Sequence, residues 1–460
     1  MEDASMQPMQ TTPADAEVAY SYITPIGYSS SSACGYCRRS RSGQSPKRYS
    51  YYASASSLTP KFYQTLIDRC WRRSGTLLYR PNQKNSCCPH YTLRLDSDHF
   101  KAAKDQRQAI NRFNKYVLGK TYSEEAARLY PLSRQDVRKR DNEFDLVHRI
   151  HEAESQRLKT PPEPAHQFTV TLEPDTFTEE KYAIFENYQR IVHKEPPEKI
   201  SRNGFKKFLC NSPLRRETFI DTDGKKRELG SFHHCYRLDG QLVAIGVLDL
   251  LPNCVSAVYF LYHDSVHTHN PGKVGALREI ALAAEAGYRW WYSGYYIHSC
   301  AKMRYKIDYS PQYVLDPEAL TWDLLDKDAL AIFDRQPYVS LSRERRRLGL
   351  DGTTSTETAH DSAQETSSSD DSEVDEEDSF LLKSDMPGIP SLEQMLEVDM
   401  DDLLLVSDHS PALFHASDLV VWDTEGVDDF GSLRSRIAEL VAAIGPDLMS
   451  EFCLDFRRRK

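Results

Sequence analysis

Two short cysteine groups are the clearest chemical signal in this chain. Cys34-Gly-Tyr-Cys37 holds two thiols two residues apart around a glycine, and Cys87 and Cys88 stand side by side further along. Four thiolates from two short loops suit a tetrahedral zinc ion and suit an iron-sulfur cluster equally well, so the spacing leaves both open. Free buried cysteines are the bland alternative. A disulfide framework lacks support, because nothing marks the chain as secreted. The remaining six, Cys70, Cys210, Cys235, Cys254, Cys300 and Cys453, read as ordinary cysteines.

A second signal is GKVGALREI, Gly272 to Ile280. A glycine-bearing loop that enters a helix leaves backbone N–H groups unpaired, and these can hold a phosphate or a polarised carbonyl. Two glycines also occur in many purely structural strand-to-helix turns. The third signal is YYIHSCAKMRYK, Tyr295 to Lys306, where aromatic residues alternate with cations. Stacking faces beside phosphate partners suit an exposed single-stranded RNA end, and a solvated basic loop is the alternative. Tyr296, His298, Lys302, Arg304 and Lys306 are the candidates for that contact.

The elements that must position these groups are readable from periodicity. HFKAAKDQRQAINRFNKYVLG puts Ala103, Ile110, Phe113 and Val117 on one helical face, and KYAIFENYQRIVH reads as a second helix. QLVAIGVLDLL and CVSAVYFLYHD read as two strands parted by the turn residues Pro252 and Asn253. The GKVGALREIALAAEAG segment follows as a helix ended by Gly287, and WWYSGYYI is a third strand. The order strand, strand, helix, strand is similar to the acyl-CoA-dependent N-acetyltransferase fold, in which adjoining strands frame an amine and an acyl carbonyl.

The resulting organisation is α+β. Residues 1–32 read as an unfolded leader, 33–159 as a cysteine-rich domain with a helical extension, and 160–167 as a linker. Residues 168–338 form the N-acetyltransferase-like mixed-sheet domain. A basic turn and an acidic, disordered tract follow over 339–385, and an acidic, partly helical segment closes the chain over 386–460. No run of about 18 apolar residues is present, which argues against a membrane span. The polar N-terminus lacks the pattern of a secretory signal.

The net charge of −10 conceals an asymmetry. Residues 353–460 carry −19 and residues 1–352 carry +9. A basic body suits a polyanionic partner, although an ordinary basic surface would look the same.

CGYC, WRRSG, CC, GSFHHCYRLDGQLVAIGVLDLLP, SAVYFLYHD, GKVGALREI and GYYIHSCAKMRYKIDYSPQYVLDPE together resemble the eukaryotic arginyl-tRNA-protein transferases, in blocks from Cys34 to Trp322. The resemblance implies transfer of arginine from arginyl-tRNA to the N-terminal α-amine of proteins that begin with Asp, Glu or oxidised Cys. Such a protein would act in the cytoplasm and nucleus, as a monomer or weak oligomer, and would mark its acceptors for N-degron and ubiquitin-dependent degradation. It also implies that Cys34, Cys37, Cys87 and Cys88 hold the zinc ion or iron-sulfur cluster, and that no ATP is needed, since the donor ester is already activated. For the chemistry, Asp264 and Glu279 are the candidate catalytic acids. Asp249 is the candidate for the donor guanidinium. Arg72, Arg73, His233 and His234 are candidates for the acceptor's acidic side chain; in a strand the two histidines face opposite sides. An acetyl-CoA-dependent N-acetyltransferase and a noncatalytic tRNA- or zinc-binding module are the competing readings.

Overall fold

The computed structural model describes residues 20–31, 34–37, 47–220, 224–349, 380–408 and 410–458. The first half contains β1 (Ser21–Ser31), β2 (Arg48–Ser57), α1 (Pro60–Ile67), β3 (Arg72–Ser74), β4 (Leu77–Pro81) and β5 (Tyr91–Asp96), followed by α2 (Lys104–Leu129), α3 (Arg134–Asn142) and α4 (Leu146–Ile150). Then come β6 (Phe168–Pro174), α5 (Glu179–Tyr188), α6 (Arg202–Phe205), β7 (Glu217–Ile220), β8 (Lys226–Leu238), β9 (Gln241–Leu251) and β10 (Cys254–Tyr262). Helix α7 (Pro271–Ala286) leads to β11 (Trp290–Tyr292), β12 (Tyr295–Tyr296), β13 (Gln312–Leu315), β14 (Trp322–Leu324), α8 (Lys327–Arg335) and α9 (Leu341–Arg347). The C-terminal segment supplies α10 (Leu392–Leu396), β15 (Leu404–Ser407), β16 (Ser410–His415), α11 (Leu433–Ile444) and β17 (Phe452–Asp455). Among the described residues, no helix is long and apolar enough to cross a membrane.

These elements make two sheets. The smaller runs β16-β15-β17-β1-β2-β4-β3, and the larger runs β14-β13-β5-β11-β10-β9-β8-β6. Both correct the expected boundaries. Residues 21–31, expected within an unfolded leader, form β1 and pair with β2 and β17, because Ile23 and Tyr28 have an apolar core to enter. The C-terminal segment joins the same sheet through β15 and β17, and α11 buries Ile437, Leu440, Val441 and Ile444 against it. The cysteine-rich block is likewise not a separate unit. β5 pairs with β11, β12 and β13, while Ile110, Phe113 and Val117 of α2 pack with Leu277 and Ile280 of α7.

The larger sheet is covered on both faces, and the pleat sorts its residues. Leu248, Leu250 and Val255 pack toward α2, α4 and α7. Cys235, Ile245, Val247 and Leu261 pack toward α5 and α6, against Tyr182, Phe185 and Phe205. Strands buried on both faces explain the long apolar runs of β9 and β10.

Candidate functional site

The central feature is a split in the larger sheet. β10 and β11 run parallel from Cys254 opposite Trp290 to Ser256 opposite Tyr292. Beyond that point β12 pairs with β5 instead, and β10 carries a register shift between Ala257 and Tyr259. The expected third strand WWYSGYYI is therefore two short strands broken at Ser293 and Gly294, where Gly294 takes φ of 79°. A parted strand leaves backbone carbonyls without partners, and they must be satisfied otherwise. Lys306 does this: its buried ammonium donates to Ser293 O at 2.6 Å and Tyr295 O at 2.7 Å.

Glu279 lies on the α7 face of this split. Its carboxylate accepts from the Trp291 indole N–H at 2.9 Å and is fully enclosed. Close helix-to-sheet approach makes this possible: Gly246 of β9 faces Glu279 Oε1, and at Gly275 any side chain would overlap the Phe260 ring. Burial pushes the Glu279 carboxyl up to about 7, against the opposing pull of the Trp291 hydrogen bond and the Lys306 charge. Burial likewise brings Lys306 down to about 7, with Arg72 adding to the shift. A carboxyl near 7 in an apolar setting can take a proton at neutral pH. Gly272 and Gly275 lie inside the first turns of α7, which starts at Pro271, and so do not form the loop anticipated from their spacing.

The other sequence candidates fall in different settings. Asp249 and Arg73 satisfy each other: the guanidinium donates to both carboxylate oxygens at 2.7 and 2.5 Å, with Ser231 as a further partner. Both side chains are almost fully buried, so neither is free for a donor guanidinium or an acceptor carboxylate. His233 and His234 do point to opposite faces of β8. His233 bonds to Leu209 O and His234 to the Tyr236 hydroxyl. Burial holds them neutral, at about 4 and about 3, which removes the cation an acceptor carboxylate would need. Asp264 stands exposed beyond β10, where it accepts from Asn187 on the α5 side and pairs with His263, whereas Glu279 is buried.

The RNA candidates divide as well. Tyr296 is buried, its hydroxyl bonded to His298, which reaches Asp334 at 2.8 Å. Lys306 is buried among carbonyls, so these two do not stand on the exposed surface of the segment. Lys302 and Arg304 are exposed, and Arg304 shares Asp334 with His298. Sequence reasoning missed Trp291, Ser293 and Tyr305. The last is a half-exposed ring in the same basic segment, and its alternation with Lys and Arg was the available signal.

The four cysteines come together. Their Sγ atoms all lie within 4.8 Å of one another, with Cys37 and Cys87 at 3.4 Å. Zinc–thiolate bonds of about 2.3 Å require sulfurs roughly 3.8 Å apart, so the donor set would close on one tetrahedral ion with shifts of up to about 1 Å. Burial disfavours the Cys34 thiolate. Hydrogen bonds from the Cys37 and Tyr36 backbone, and then from Cys87 and Cys37, outweigh it and bring Cys34 down to about 7. The neighbouring Tyr36 ring packs edge-on against His90 at 5.3 Å, and His90 packs against Tyr295 at the same distance, which seats the cluster beside β12.

Comparison with known proteins agrees with this architecture. A family model described as arginine-tRNA-protein transferase, N terminus, matches residues 32–108, and one described as the C terminus of the same enzyme matches residues 180–316. The arginyl-tRNA--protein transferase 1 of Dictyostelium discoideum is 24% identical, covering 70% of this chain and 86% of that protein. The Drosophila melanogaster protein of the same name is 27% identical over 69% and 85%. An aspartate/glutamate leucyltransferase of Stutzerimonas stutzeri is 36% identical over 29% of this chain and 52% of its own length. With both segments matched in order and joined in one sheet through β5, this chain resembles the arginine-tRNA-protein transferases over residues 32–108 and 180–316.

Proposed function

We propose that this protein transfers arginine from arginyl-tRNA to the N-terminal α-amine of proteins that begin with Asp or Glu. The observation that carries this reading is the meeting of both family segments at the β10/β12 split, with a buried carboxyl beside it. In the proposed step the neutral α-amine attacks the arginyl ester carbonyl. The new C–N bond forms, the C–O bond to the tRNA terminal ribose breaks, the amine proton passes to Glu279, and the leaving ribose oxygen takes a proton back. An α-amine with a pKa of about 7.7 to 8.0 needs only modest base assistance, so positioning supplies most of the rate.

The N-acetyltransferase-like expectation for residues 168–338 is supported by the parallel β10/β11 pair, its parting, and α7 between them. Lys302, Arg304 and the Tyr305 ring are the exposed groups proposed to meet the CCA end. The four thiolates would hold a zinc ion or an iron-sulfur cluster and would tie the Cys34–Cys37 loop to the Cys87–Cys88 turn. Either group would supply a structural clamp, with no part in proton transfer.

The test uses labelled arginyl-tRNA with peptides starting in Asp, Glu, Asn or Ala. Labelling of the Asp and Glu peptides alone is the expected result. Absence of arginine transfer together with acetylation from acetyl-CoA would overturn the reading in favour of an acetyltransferase.

A further inference from the structure

Buried polar groups without partners are concentrated around Tyr295. Arg72 is more than nine-tenths buried. Its Nη1 donates to the Ile67 and Trp71 carbonyls, yet Nε and Nη2 have no partner. The guanidinium lies 5.0 Å from the Tyr295 ring centroid. Thr92, directly opposite Tyr295 in the β5–β12 ladder, has an unpartnered Oγ1. Ser293, at the strand break, has an unpartnered Oγ, and Gln312, which bonds Lys306 O through Nε2, has an unpartnered Oε1. Lys306 uses two of its three donors on Ser293 O and Tyr295 O, which leaves one N–H for another acceptor.

Such a concentration of unpaired polar groups, most of them donors, is costly unless something fills it. Its charge says what. Arg72 and Lys306 lie near enough to act on each other electrostatically, and two buried cations call for an anion. The carboxylates near them are engaged elsewhere: Asp68 accepts from the Tyr292 hydroxyl at 2.7 Å, and Glu279 accepts from Trp291. The free Arg72 edge, Nε with Nη2, is the pair that grips a carboxylate with two parallel bonds. Lys306 also acts electrostatically on Glu279, so these cations and the proposed base sit at one split.

We propose that Arg72, Ser293 and Lys306 form the pocket that takes the side-chain carboxylate of the acceptor's first residue, while Glu279 faces its α-amine. The inference rests on the arginyl-transfer reading and deepens it. The acid enters between the parted strands, pairs with the Arg72 edge, accepts from Ser293 Oγ and the third Lys306 N–H, and thereby brings its amine to Glu279. An Asn side chain offers one acceptor oxygen and no charge, and leaves Arg72 unpaired, which is how a site built for a polar group rejects its analogue.

The experiment compares kcat/KM for Asp-, Glu- and Asn-starting peptides in the full chain and in Arg72→Gln, Arg72→Lys and Ser293→Ala, with circular dichroism and tRNA affinity as controls for folding. Transfer by the wild-type protein to none of the three peptides would sink the arginyl-transfer reading itself. If wild type discriminates Asp from Asn, Arg72→Gln should lower kcat/KM for Asp at least about 100-fold and leave the Asn value within about threefold, with partial rescue in Arg72→Lys. Should Arg72→Gln fail to fold, Ser293→Ala decides: KM for the Asp peptide should rise about tenfold with kcat unchanged. Discrimination retained in a folded Arg72→Gln protein, or an unchanged KM in Ser293→Ala, would overturn the pocket.

Discussion

Glu279 carries the sharpest expectation for a single residue. Burial raises its pKa to about 7 from an unfolded value near 4.5, so the folded protein holds this proton more tightly than the unfolded chain. The associated stability is present in full below about pH 4.5 and is lost as pH rises through about 7. Activity runs the other way, because a proton acceptor must be ionised. Replacing Glu279 with Gln should lower kcat/KM by about 10²- to 10⁴-fold and remove the ascending limb centred near pH 7. The same variant should gain stability relative to wild type at pH 8 but not at pH 4, as urea titrations would show. An unchanged pH–rate profile in Glu279→Gln would exclude the carboxyl as base. The cysteines allow a second test at this scale. Changing Cys34 and Cys37 together to Ser should reduce metal content, measured after anaerobic purification, to near zero. Unchanged stoichiometry would place the metal elsewhere.

These two sites were legible in the sequence for different reasons. The cysteines announce themselves by local spacing, and the fold brings the two loops together. Glu279 was visible as an acid in the first turns of a helix, yet its burial depends on Gly246, Gly275 and Trp291. Asp249 and Arg73 illustrate the opposite case. Each resembled a ligand-binding group when taken alone, and only their long-range pairing reveals a closed ion pair. A pair of that kind is strongly destabilised by loss of one member, so their substitution would report on folding and not on substrate binding.

Among the elements, β9, β10 and α7 were readable because apolar runs and 3.6-residue periodicity persist over many residues. The break in WWYSGYYI was not, since Ser293 and Gly294 matter only through which neighbour each half-strand finds. The two glycines of α7 provide a paired test of its packing. A methyl at Gly272 meets nothing within 4 Å, whereas one at Gly275 meets the Phe260 ring. Alanine in a helix gains up to about 1 kcal/mol over glycine, while overfilling a packed contact costs about 1 to 3 kcal/mol. Gly272→Ala should therefore raise the denaturation midpoint and Gly275→Ala should lower it. Equal shifts in the two variants would mean that α7 does not press on β10 as described.

At the scale of the whole molecule, the C-terminal segment changes what its charge means. Its acidic composition, −19 over residues 353–460, pointed to an acidic segment of which only islands such as LLLV and IAELVAAIG would dock, as helices, on the body. Those islands are core. β17 lies between β15 and β1, and Trp71 and Arg80 reach Ala443 O at 3.0 and 2.6 Å. Arg80 also donates to the Pro387 and Gly388 carbonyls, and Arg69 pairs with Asp447. A chain ending at Gly349 would lose a paired strand and the apolar face of α11, and would leave Arg80 buried without its acceptors. It should therefore fail to unfold cooperatively and should aggregate on expression. Leu440→Ala in the full chain should cost about 2 to 5 kcal/mol, as for other buried leucines. Any loss of tRNA affinity in such a truncation would then report on collapse of the smaller sheet and not on charge. A soluble chain ending at Gly349 with a cooperative transition and native tRNA affinity would show instead that the smaller sheet stands without β17.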